Sequence, residues 1–335
     1  MELAASSDVV RRDTIVIGGS YGSLEPLQQI LRALPGHLRA SVLIVQHRQF
    51  GSGSVRDLLA KNCSMRIVDA DDETRLDSGM VYLAPPGKHL LLSGSVLRVV
   101  HGPRENLSRP SIDVLFRSVA VERGARCIGV ILSGALSDGE LGLDAIKRCG
   151  GYTIVQDPRH AVNAELPLAA MRITADVLLP PAEIGHVLLR LLDEPAHRAQ
   201  AIPRDLQIES RAALTAVADA DELGELAEHS HLTCPECDGP LWRLGSLDSE
   251  RYRCDVGHAF SPAALVSGQS RTLERALWVA YRTLLEHARL LAELAKRAGE
   301  RSGSDYARRA RELKEQASSV LAALLTLQTA GDVPA

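Results

Sequence analysis

Three short segments decide the fold: TIVIGGSYGS at 14–23, SVLIVQH at 41–47 and IGVILSGALSDG at 128–139. Each begins with an apolar, largely β-branched run, which predicts a buried strand. Each run leads to a side chain that can take part in catalysis, namely Ser20, His47 and Asp138. Because ligands gather at the carboxyl ends of the strands of an open parallel sheet, we expect these side chains to lie close together. A nucleophile, a base and an orienting carboxylate at that edge predict a hydrolase triad.

The first half of the chain alternates predicted strands with predicted helices from Thr14 to about Pro181. This alternation indicates βαβ units and a parallel sheet, and therefore an α/β fold. Residues 80–101 differ, because PPGK and SGS split them into short strands. Such turn signals predict a β-hairpin insertion with antiparallel pairing. We therefore expect a mostly parallel sheet that is mixed where the hairpin joins it.

The composition is that of an ordinary soluble protein, with 335 residues, 45% hydrophobic and 24% charged residues. This length favours two domains over one. A net charge of −4 provides no basic surface for nucleic acid. The N-terminal MELAASSDVVRRD lacks the apolar core of a signal peptide, and no segment approaches a membrane span in length. We expect a cytoplasmic protein with no nucleic acid partner and no direct membrane insertion.

Each of the three candidate residues also has a structural interpretation. The glycines around Ser20 are equally typical of a phosphate-binding loop, which would make the chain a nucleotide-binding regulator. GGSYGS, however, lacks a full G-x-G-x-x-G pattern, and no lysine follows as in a P-loop. His47 would serve as a structural loop residue, and Asp138 as a helix N-cap. The catalytic interpretation rests on the conjunction of all three.

Longer motifs around these residues resemble a known family. In order, over about residues 13–180, they are GGSYGSLEPL, VQHRQ, YLAPPGKHL, SRPSIDVLFRSVA, GVILSGALSDGELGLDAIKRCGG and VQDP. They are similar to the catalytic domain of bacterial chemotaxis protein-glutamate methylesterases. The resemblance implies a doubly wound α/β catalytic domain, here residues 13–194, with Ser20, His47 and Asp138 as its triad. It also implies that catalysis needs no cofactor.

The resemblance further implies a substrate. It would be a glutamyl methyl ester on the cytoplasmic helices of methylated chemoreceptors, or on another methylated signalling protein, with glutamine deamidation as a second activity. A non-catalytic adaptor that uses the same domain to bind partners is the alternative. We expect no receiver domain, because only about a dozen residues precede the first strand.

Two positions beside the predicted triad depart from the family pattern. The family usually has Ser-Thr-Gly-Gly at the nucleophile, whereas Tyr21 follows the serine here. It usually has Met three residues before the aspartate, where this chain has Ala135. We expect backbone N–H groups near Tyr21 and in the turn 134–136 to bind the oxyanion. Arg109 is expected either to contact an acidic substrate or to form an ion pair with Asp113 or the helix start.

The cysteines fall into two sets, and a reducing compartment predicts no disulfides for either. Cys63, Cys127 and Cys149 occur singly and are expected to be small buried hydrophobes. The second set combines C-x2-C with C-x3-H, which predicts a structural zinc ribbon at 231–265. Its four predicted ligands are Cys234, Cys237, Cys254 and His258. His229 and His231 lie nearby but lack the ligand spacing.

The remaining segments are predicted from composition and periodicity. Residues 195–230, rich in Ala, Glu and Asp, predict a linker with some helix. Leucine and alanine spacing predicts two helices, at 271–298 and 304–328, broken by GERSGS. We expect them to form a helical hairpin over 271–328, and a homo-oligomer through these helices is one outcome of that pattern.

Overall fold

The computed structural model describes residues 10–47, 55–173, 175–197, 200–215, 227–245 and 249–330. The chain divides into two compact units, Met1–Leu265 and Val266–Ala335. The α/β part contains strands β1 (Thr14–Gly19), β2 (Ser41–Gln46), β3 (Arg66–Asp69), β4 (Thr74–Arg75), β5 (Met80–Leu83), β6 (His89–Ser93), β7 (Val96–Val100), β8 (Cys127–Ile131), β9 (Tyr152–Gln156) and β10 (Val177–Leu179). Its helices are α1 (Leu24–Ala33), α2 (Val55–Ala60), α3 (Ile112–Arg123), α4 (Glu140–Arg148), α5 (Glu165–Ile173) and α6 (Pro181–Asp193).

The central sheet has seven strands in the order β10-β9-β8-β1-β2-β5-β3, and each neighbouring pair is parallel. The predicted hairpin forms at β6 and β7, but it pairs with β4 in a separate three-stranded sheet. The expectation of antiparallel pairing in the main sheet is therefore wrong. The reason is that β5 is buried on both faces, with Val81 and Leu83 in one core and Tyr82 in the other. Such a strand belongs in a parallel sheet between two helical layers.

Helices cover both faces of the sheet. Alternate residues of a strand point to opposite faces, so Ile15 and Ile17 join the core formed with α1 and α6, whereas Val16 joins the core formed with α3 and α4. Cys127 and Cys149 are buried in the second core, Cys63 is half-buried, and all three are free thiols. The architecture is the doubly wound α/β fold that the sequence predicts.

The strand order reverses direction at β1, which lies between β2 on one side and β8 on the other. A crevice opens outside the carboxyl ends of the strands at such a switch point. Ser20 directly follows β1 and His47 directly follows β2, while Asp138 lies in the loop between β8 and α4. The topology thus delivers all three side chains to one edge of the sheet.

The predicted linker is more structured than expected. Residues 204–215 form helix α7 (Arg204–Thr215), in which Leu206, Ile208 and Glu209 are buried. Residues 216–226 lie outside the described ranges, as do residues 48–54 after His47. The difference arises because Glu209 pairs with buried arginines of the cysteine module, which composition does not reveal.

The cysteine module is a four-stranded antiparallel sheet in the order of the chain. Its strands are β11 (Glu228–Thr233), β12 (Pro240–Leu244), β13 (Arg251–Cys254) and β14 (Ala259–Phe260). Helix α8 (Pro262–Arg297) follows, nine residues earlier than the 271 expected from periodicity. Ser261 precedes Pro262 and accepts a hydrogen bond from the Ala264 N–H through its Oγ (3.2 Å), so it caps the helix.

The last helix is α9 (Glu300–Ala330). It includes Gly303, whose N–H donates to Gly299 O (2.8 Å), so the break is shorter than the GERSGS segment suggested. Ala288, Ala310, Ala317 and Leu324 are buried on the two helices. Across the described ranges, we find no helix with both the length and the apolar character needed to cross a membrane.

Candidate active site

Ser20 lies in a tight turn between β1 and α1. Its N–H donates to Ser133 O (2.9 Å), and its carbonyl accepts a hydrogen bond from Ser23 Oγ (2.7 Å). Gly22 has a φ of +82°, and a Cβ there would lie 2.4 Å from Val162 Cβ. Only glycine fits this position, because it tolerates the left-handed conformation and has no side chain to collide. The turn therefore holds Ser20, half-buried, at the carboxyl edge of the sheet.

His47 lies beside Ser20 across two neighbouring parallel strands. Gly19 pairs with Gln46 in the sheet, and the His47 N–H continues the ladder by donating to Gly19 O (3.0 Å). The next residues along the two strands, Ser20 and His47, are therefore neighbours at the strand ends. The described residues include no hydrogen bond between the two side chains. That contact is often long in the absence of substrate and tightens when substrate binds.

His47 is joined to Asp138 by a hydrogen bond of 2.8 Å between Nε2 and Oδ2. The Asp138 side chain is 3% exposed and that of His47 is 20% exposed. A carboxylate only accepts hydrogen bonds, so Nε2 carries the proton. The Nδ1 of the neutral ring is then the basic nitrogen. The pair has the tautomer that a general base needs.

Asp138 lies at the N-terminus of α3 and does not cap its own helix α4, whose N-cap is Gly139 without a side-chain cap. Its Oδ2 accepts from the Ile112 N–H (2.8 Å), and its Oδ1 accepts from Ser111 Oγ (2.7 Å). The exposed N–H groups and the dipole at a helix start favour an anion. Asp138 is therefore a buried carboxylate with a fixed orientation. These contacts do not favour its interpretation as a simple N-cap.

A second buried acid, Asp113, lies next to Asp138, and the sequence predicted for it only an ion pair with Arg109. Its Oδ1 accepts from the N–H groups of Gly139 (2.9 Å) and Gly142 (2.6 Å). Burial, followed by the charge of Asp138, raises the pKa of Asp113 well above its usual range. The Nδ2 group of Asn106 donates to both acids, at 2.5 Å to Asp113 Oδ2 and 3.3 Å to Asp138 Oδ1. Asn106 was also missed, because an asparagine in an irregular loop has no distinctive spacing.

Only some of the backbone N–H groups predicted to bind the oxyanion are available in the structure. In the turn before Asp138, the Gly134 N–H donates to a backbone carbonyl (3.1 Å) and the Leu136 N–H to the Glu165 carboxylate (2.9 Å). Neither N–H is free for substrate. The N–H groups of Ala135 and Tyr21 have no hydrogen-bond partner within the described ranges. They are the backbone donors available for the developing negative charge.

Arg109 is not paired with Asp113. Its guanidinium donates to Gly102 O (2.8 Å), and the partners of Asp113 are N–H donors of other residues. The expected ion pair with Asp113 is therefore wrong. Asp113 is already saturated by the amides around it, whereas contact of Arg109 with an acidic substrate stays a prediction.

The structure brings the four predicted metal ligands together, with all ligand atoms within 4.8 Å of one another. Cys237 Sγ and Cys254 Sγ are 3.7 Å apart, and Cys254 Sγ is 3.5 Å from His258 Nδ1. A disulfide would need about 2.05 Å between sulfurs. Tetrahedral zinc with Zn–S of about 2.3 Å and Zn–N of about 2.0 Å requires about 3.8 Å and about 3.5 Å for these distances. The cluster fits a zinc ion.

The surroundings of the cluster also suit a metal. The Asp238 N–H donates to Cys234 O (2.9 Å) and the Gly257 N–H to Cys254 O (2.9 Å), so each pair of ligands lies on a tight turn. The neighbouring Cys234 thiol lowers the pKa of Cys254, which favours a thiolate at this position. His229 and His231 are exposed on β11 and outside the cluster, so His258 is the histidine in ligand position.

Comparison with known proteins covers the α/β part of the chain. Residues 15–188 match the CheB methylesterase family model. A Leptospira interrogans protein named "Putative protein-glutamate methylesterase/protein-glutamine glutaminase" is 41% identical over 182 residues, which cover 53% of this chain and 94% of that protein. A protein-glutamate methylesterase/protein-glutamine glutaminase of Bordetella parapertussis is 37% identical over 191 residues, and the chain spans 54% of its length.

A solved structure gives the same result for the fold. The catalytic domain of Thermotoga maritima CheB methylesterase is 29% identical, with a TM-score of 0.53, and the match covers 54% of this chain and 100% of that domain. The matched part contains Ser20, His47 and Asp138 and excludes the cysteine module. The resemblance predicted from the motifs is confirmed, and the chain belongs to the CheB methylesterase family.

Proposed function

We propose that this protein hydrolyses glutamyl methyl esters on a signalling protein, with Ser20 as nucleophile, His47 as base and Asp138 as orienting carboxylate. The observation that carries the proposal is the 2.8 Å contact between His47 Nε2 and Asp138 Oδ2 beside Ser20 at the switch point of the sheet. Relatives over this part of the chain are named protein-glutamate methylesterase/protein-glutamine glutaminase. The same names support glutamine deamidation as a second activity.

The chemistry follows from the two ends of the His47 ring. Nδ1 takes the Ser20 proton as Oγ attacks the ester carbonyl, and Asp138 stabilises the imidazolium that forms. The N–H groups of Tyr21 and Ala135 hold the negative charge on the carbonyl oxygen. The imidazolium then protonates the methoxide, so that methanol leaves and a glutamyl–Ser20 ester remains. Water attacks this ester with His47 again as base, which frees the glutamate and restores Ser20. With glutamine as substrate, ammonia replaces methanol.

The proposed substrate is a methylated chemoreceptor helix or another methylated signalling protein in the cytoplasm. An adaptor without activity is not favoured, because an adaptor has no need of the His47–Asp138 tautomer. A serine-directed fluorophosphonate probe separates the two classes. Labelling of Ser20 that is lost in His47→Ala supports the enzyme, and no labelling, or labelling that does not depend on His47, supports the adaptor.

The direct test is methanol release from methylated receptor membranes. We expect Ser20→Ala to lower turnover by about 10³-fold or more, since nucleophile and base act as a unit. Ser319→Ala, an exposed serine of helix α9, is the matched control and should keep normal turnover. Near-normal methanol release by Ser20→Ala contradicts the proposal.

The segments that follow the catalytic domain are proposed to support it rather than to take part in the reaction. Cys234, Cys237, Cys254 and His258 hold a structural zinc ion, which lies away from the ester and does not contact the reacting groups. The proposed divisions are the catalytic domain 13–194, the segment 195–230, the zinc-ribbon-like module 231–265 and the helical hairpin 271–328. The short break between α8 and α9, and the alanines buried on them, support the hairpin. Protein contacts, including self-association, are its proposed use.

A further inference from the structure

The loop 104–107 connects the cysteine module to the triad carboxylate. On the module side, the Asn106 N–H donates to Ala259 O (2.8 Å), and Glu105 forms a parallel bridge with Ala259. The Ser261 N–H donates to Asn106 Oδ1 (2.7 Å). On the other side, the Asn106 amide contacts Asp138. A single side chain thus joins the end of β14 to the proposed active site.

The contact with Ser261 sets the orientation of the Asn106 amide. A backbone N–H can only donate, so Oδ1 must face Ser261 and the NH2 group must face the opposite direction. That direction is occupied by Asp113 and Asp138, which both accept from Nδ2. The module therefore contributes to the hydrogen bonds that hold Asp138, although it lies outside the part of the chain that matches the esterase family.

The loop also has a conformation that needs external support. Asn106 has a φ of 48° and Leu107 a φ of 63°. A left-handed conformation is unfavourable for a leucine and persists only where the surroundings impose it. The module provides these surroundings, because Leu107 packs against its buried cluster and Glu105 pairs with Arg253 at 2.8 Å.

A second contact reaches the residue next to the triad carboxylate. Ser261 Oγ lies 2.6 Å from Ser137 Oγ, in a buried position, and Ser137 directly precedes Asp138. Ser261 therefore touches Asn106 through its N–H and Ser137 through its hydroxyl. Both contacts come from the short segment that follows the ligands Cys254 and His258.

We expect the order of that segment to depend on the metal. The buried cluster of the module is small, and two of its members are the ligands Cys234 and Cys254. Modules with so little core are usually folded only when the metal is bound. We propose that Asn106 and Ser261 are positioning residues through which zinc in the cysteine module holds Asp138 in its active orientation. The proposal rests on the proposed esterase function, and it makes esterase activity dependent on a remote zinc site.

The first experiment removes zinc from the full-length protein with a chelator and then restores Zn²⁺. We expect the rate of fluorophosphonate labelling of Ser20 to fall by about 10- to 100-fold, because a small misplacement of a catalytic group has effects of that size, and to recover with Zn²⁺. Amide hydrogen exchange should rise in peptides 100–110 and 132–142 when zinc is removed. His258→Ala should reproduce the zinc-free state, and His231→Ala, an exposed histidine of the same module, should behave as wild type.

The second experiment isolates Asn106. Asn106→Gly is the sharpest variant, because glycine adopts a φ of 48° freely, keeps the N–H contact with Ala259 and removes only the amide. We expect kcat to fall by about 10- to 100-fold with KM unchanged. The low-field proton signal of the His47–Asp138 hydrogen bond should broaden or disappear. A purely structural role would lower the melting temperature without changing kcat or that signal.

The outcomes separate the two proposals. If the wild type is labelled at Ser20 in a His47-dependent way, but zinc removal and Asn106→Gly leave labelling, kcat and exchange unchanged, the positioning role is wrong and the esterase function stands. If the zinc-loaded wild type neither reacts with the probe nor releases methanol, the esterase function is wrong. The exchange of residues 132–142 then still decides whether zinc controls the Asp138 loop.

Discussion

Arg253 is the most instructive residue to change, because it is a fully buried arginine between the cysteine module and the catalytic domain. Its side chain is 2% exposed and lies 2.8 Å from Glu105 and 3.4 Å from Glu209. It also donates to Gly257 O (3.0 Å). Arg117 contacts Glu105 as well, at 2.8 Å. We predict that Arg253→Met lowers the free energy of unfolding of this region by about 3 kcal/mol.

The magnitude comes from the charges that remain. Burial alone would raise the pKa of Glu105, but Arg117 and Arg253 outweigh it and lower the pKa from 4.5 to about 2. At about 1.4 kcal/mol per pKa unit, this shift corresponds to about 3–4 kcal/mol of stabilisation shared by the two arginines. Removal of one partner from a buried ion pair costs about 3–5 kcal/mol. Because Arg117 still neutralises Glu105, we expect the lower end of that range.

The pH dependence has a definite sign. Since the pKa of Glu105 is lowered in the folded protein, its stabilising contribution is complete above about pH 4.5 and is lost as the pH falls toward 2. The difference in stability between wild type and Arg253→Met should therefore be largest near neutral pH. It should shrink as the pH is lowered from 4.5 to 3.

The assay uses a tryptophan that lies opposite Arg253. Trp242 on β12 pairs with Arg253 on β13, and the chain has only one other tryptophan, Trp278. In a Trp278→Phe background, urea unfolding followed by Trp242 fluorescence reports on the module. Arg243→Met on the same strand as Trp242 is the matched control, because Arg243 is 49% exposed in its ion pairs. We expect Arg243→Met to lower the free energy of unfolding by only about 0–1 kcal/mol. An equal loss in free energy of unfolding for Arg253→Met and Arg243→Met would refute the reasoning.

Other predictions concern the catalytic part. Asp138→Asn should lower kcat by about 10³- to 10⁴-fold in the methanol-release assay with little change in KM, because an amide no longer fixes the His47 tautomer. A loss of kcat below about tenfold would contradict the proposed role of Asp138. Gly134→Ala places a Cβ 2.9 Å from Ser20 Cβ and should lower kcat by about 10²-fold in the same assay by moving the nucleophile. Gly299→Ala, where nothing lies within 4 Å of the new Cβ, is its control and should keep wild-type kcat.

The α/β part could be predicted from sequence because local and global signals agree there. Buried parallel strands are continuous apolar runs, and the runs before Ser20 and His47 end where β1 and β2 end. The hairpin at β6 and β7 was found from its turn residues. That this hairpin belongs to a separate sheet could not be predicted in the same way. The partners of a strand depend on which of its faces are buried, and turn residues do not specify this.

The docking of the cysteine module could not be predicted in this way. The contact between Ser261 and Asn106 joins residues 155 positions apart, and both are small polar residues of ordinary type. The buried arginines Arg251 and Arg253 alternate with a tyrosine on β13, which is typical of an exposed strand rather than of an interface. Their burial is possible only because Glu105 and Glu209 come from two other segments. Charge pairing between distant segments leaves no periodic signal.

The two departures from the family pattern, Tyr21 and Ala135, do not affect the same part of the reaction as the triad does. At Tyr21 and Ala135 the groups available to the oxyanion are backbone N–H groups, which a change of side chain does not remove. Tyr21 is 70% exposed and Ala135 is half-buried, so their side chains border the place where a substrate would bind. The same substitutions therefore leave the means of charge stabilisation intact while altering the surface that a partner protein contacts. Differences between this chain and its relatives are for this reason expected in the choice of substrate more than in the hydrolytic step itself.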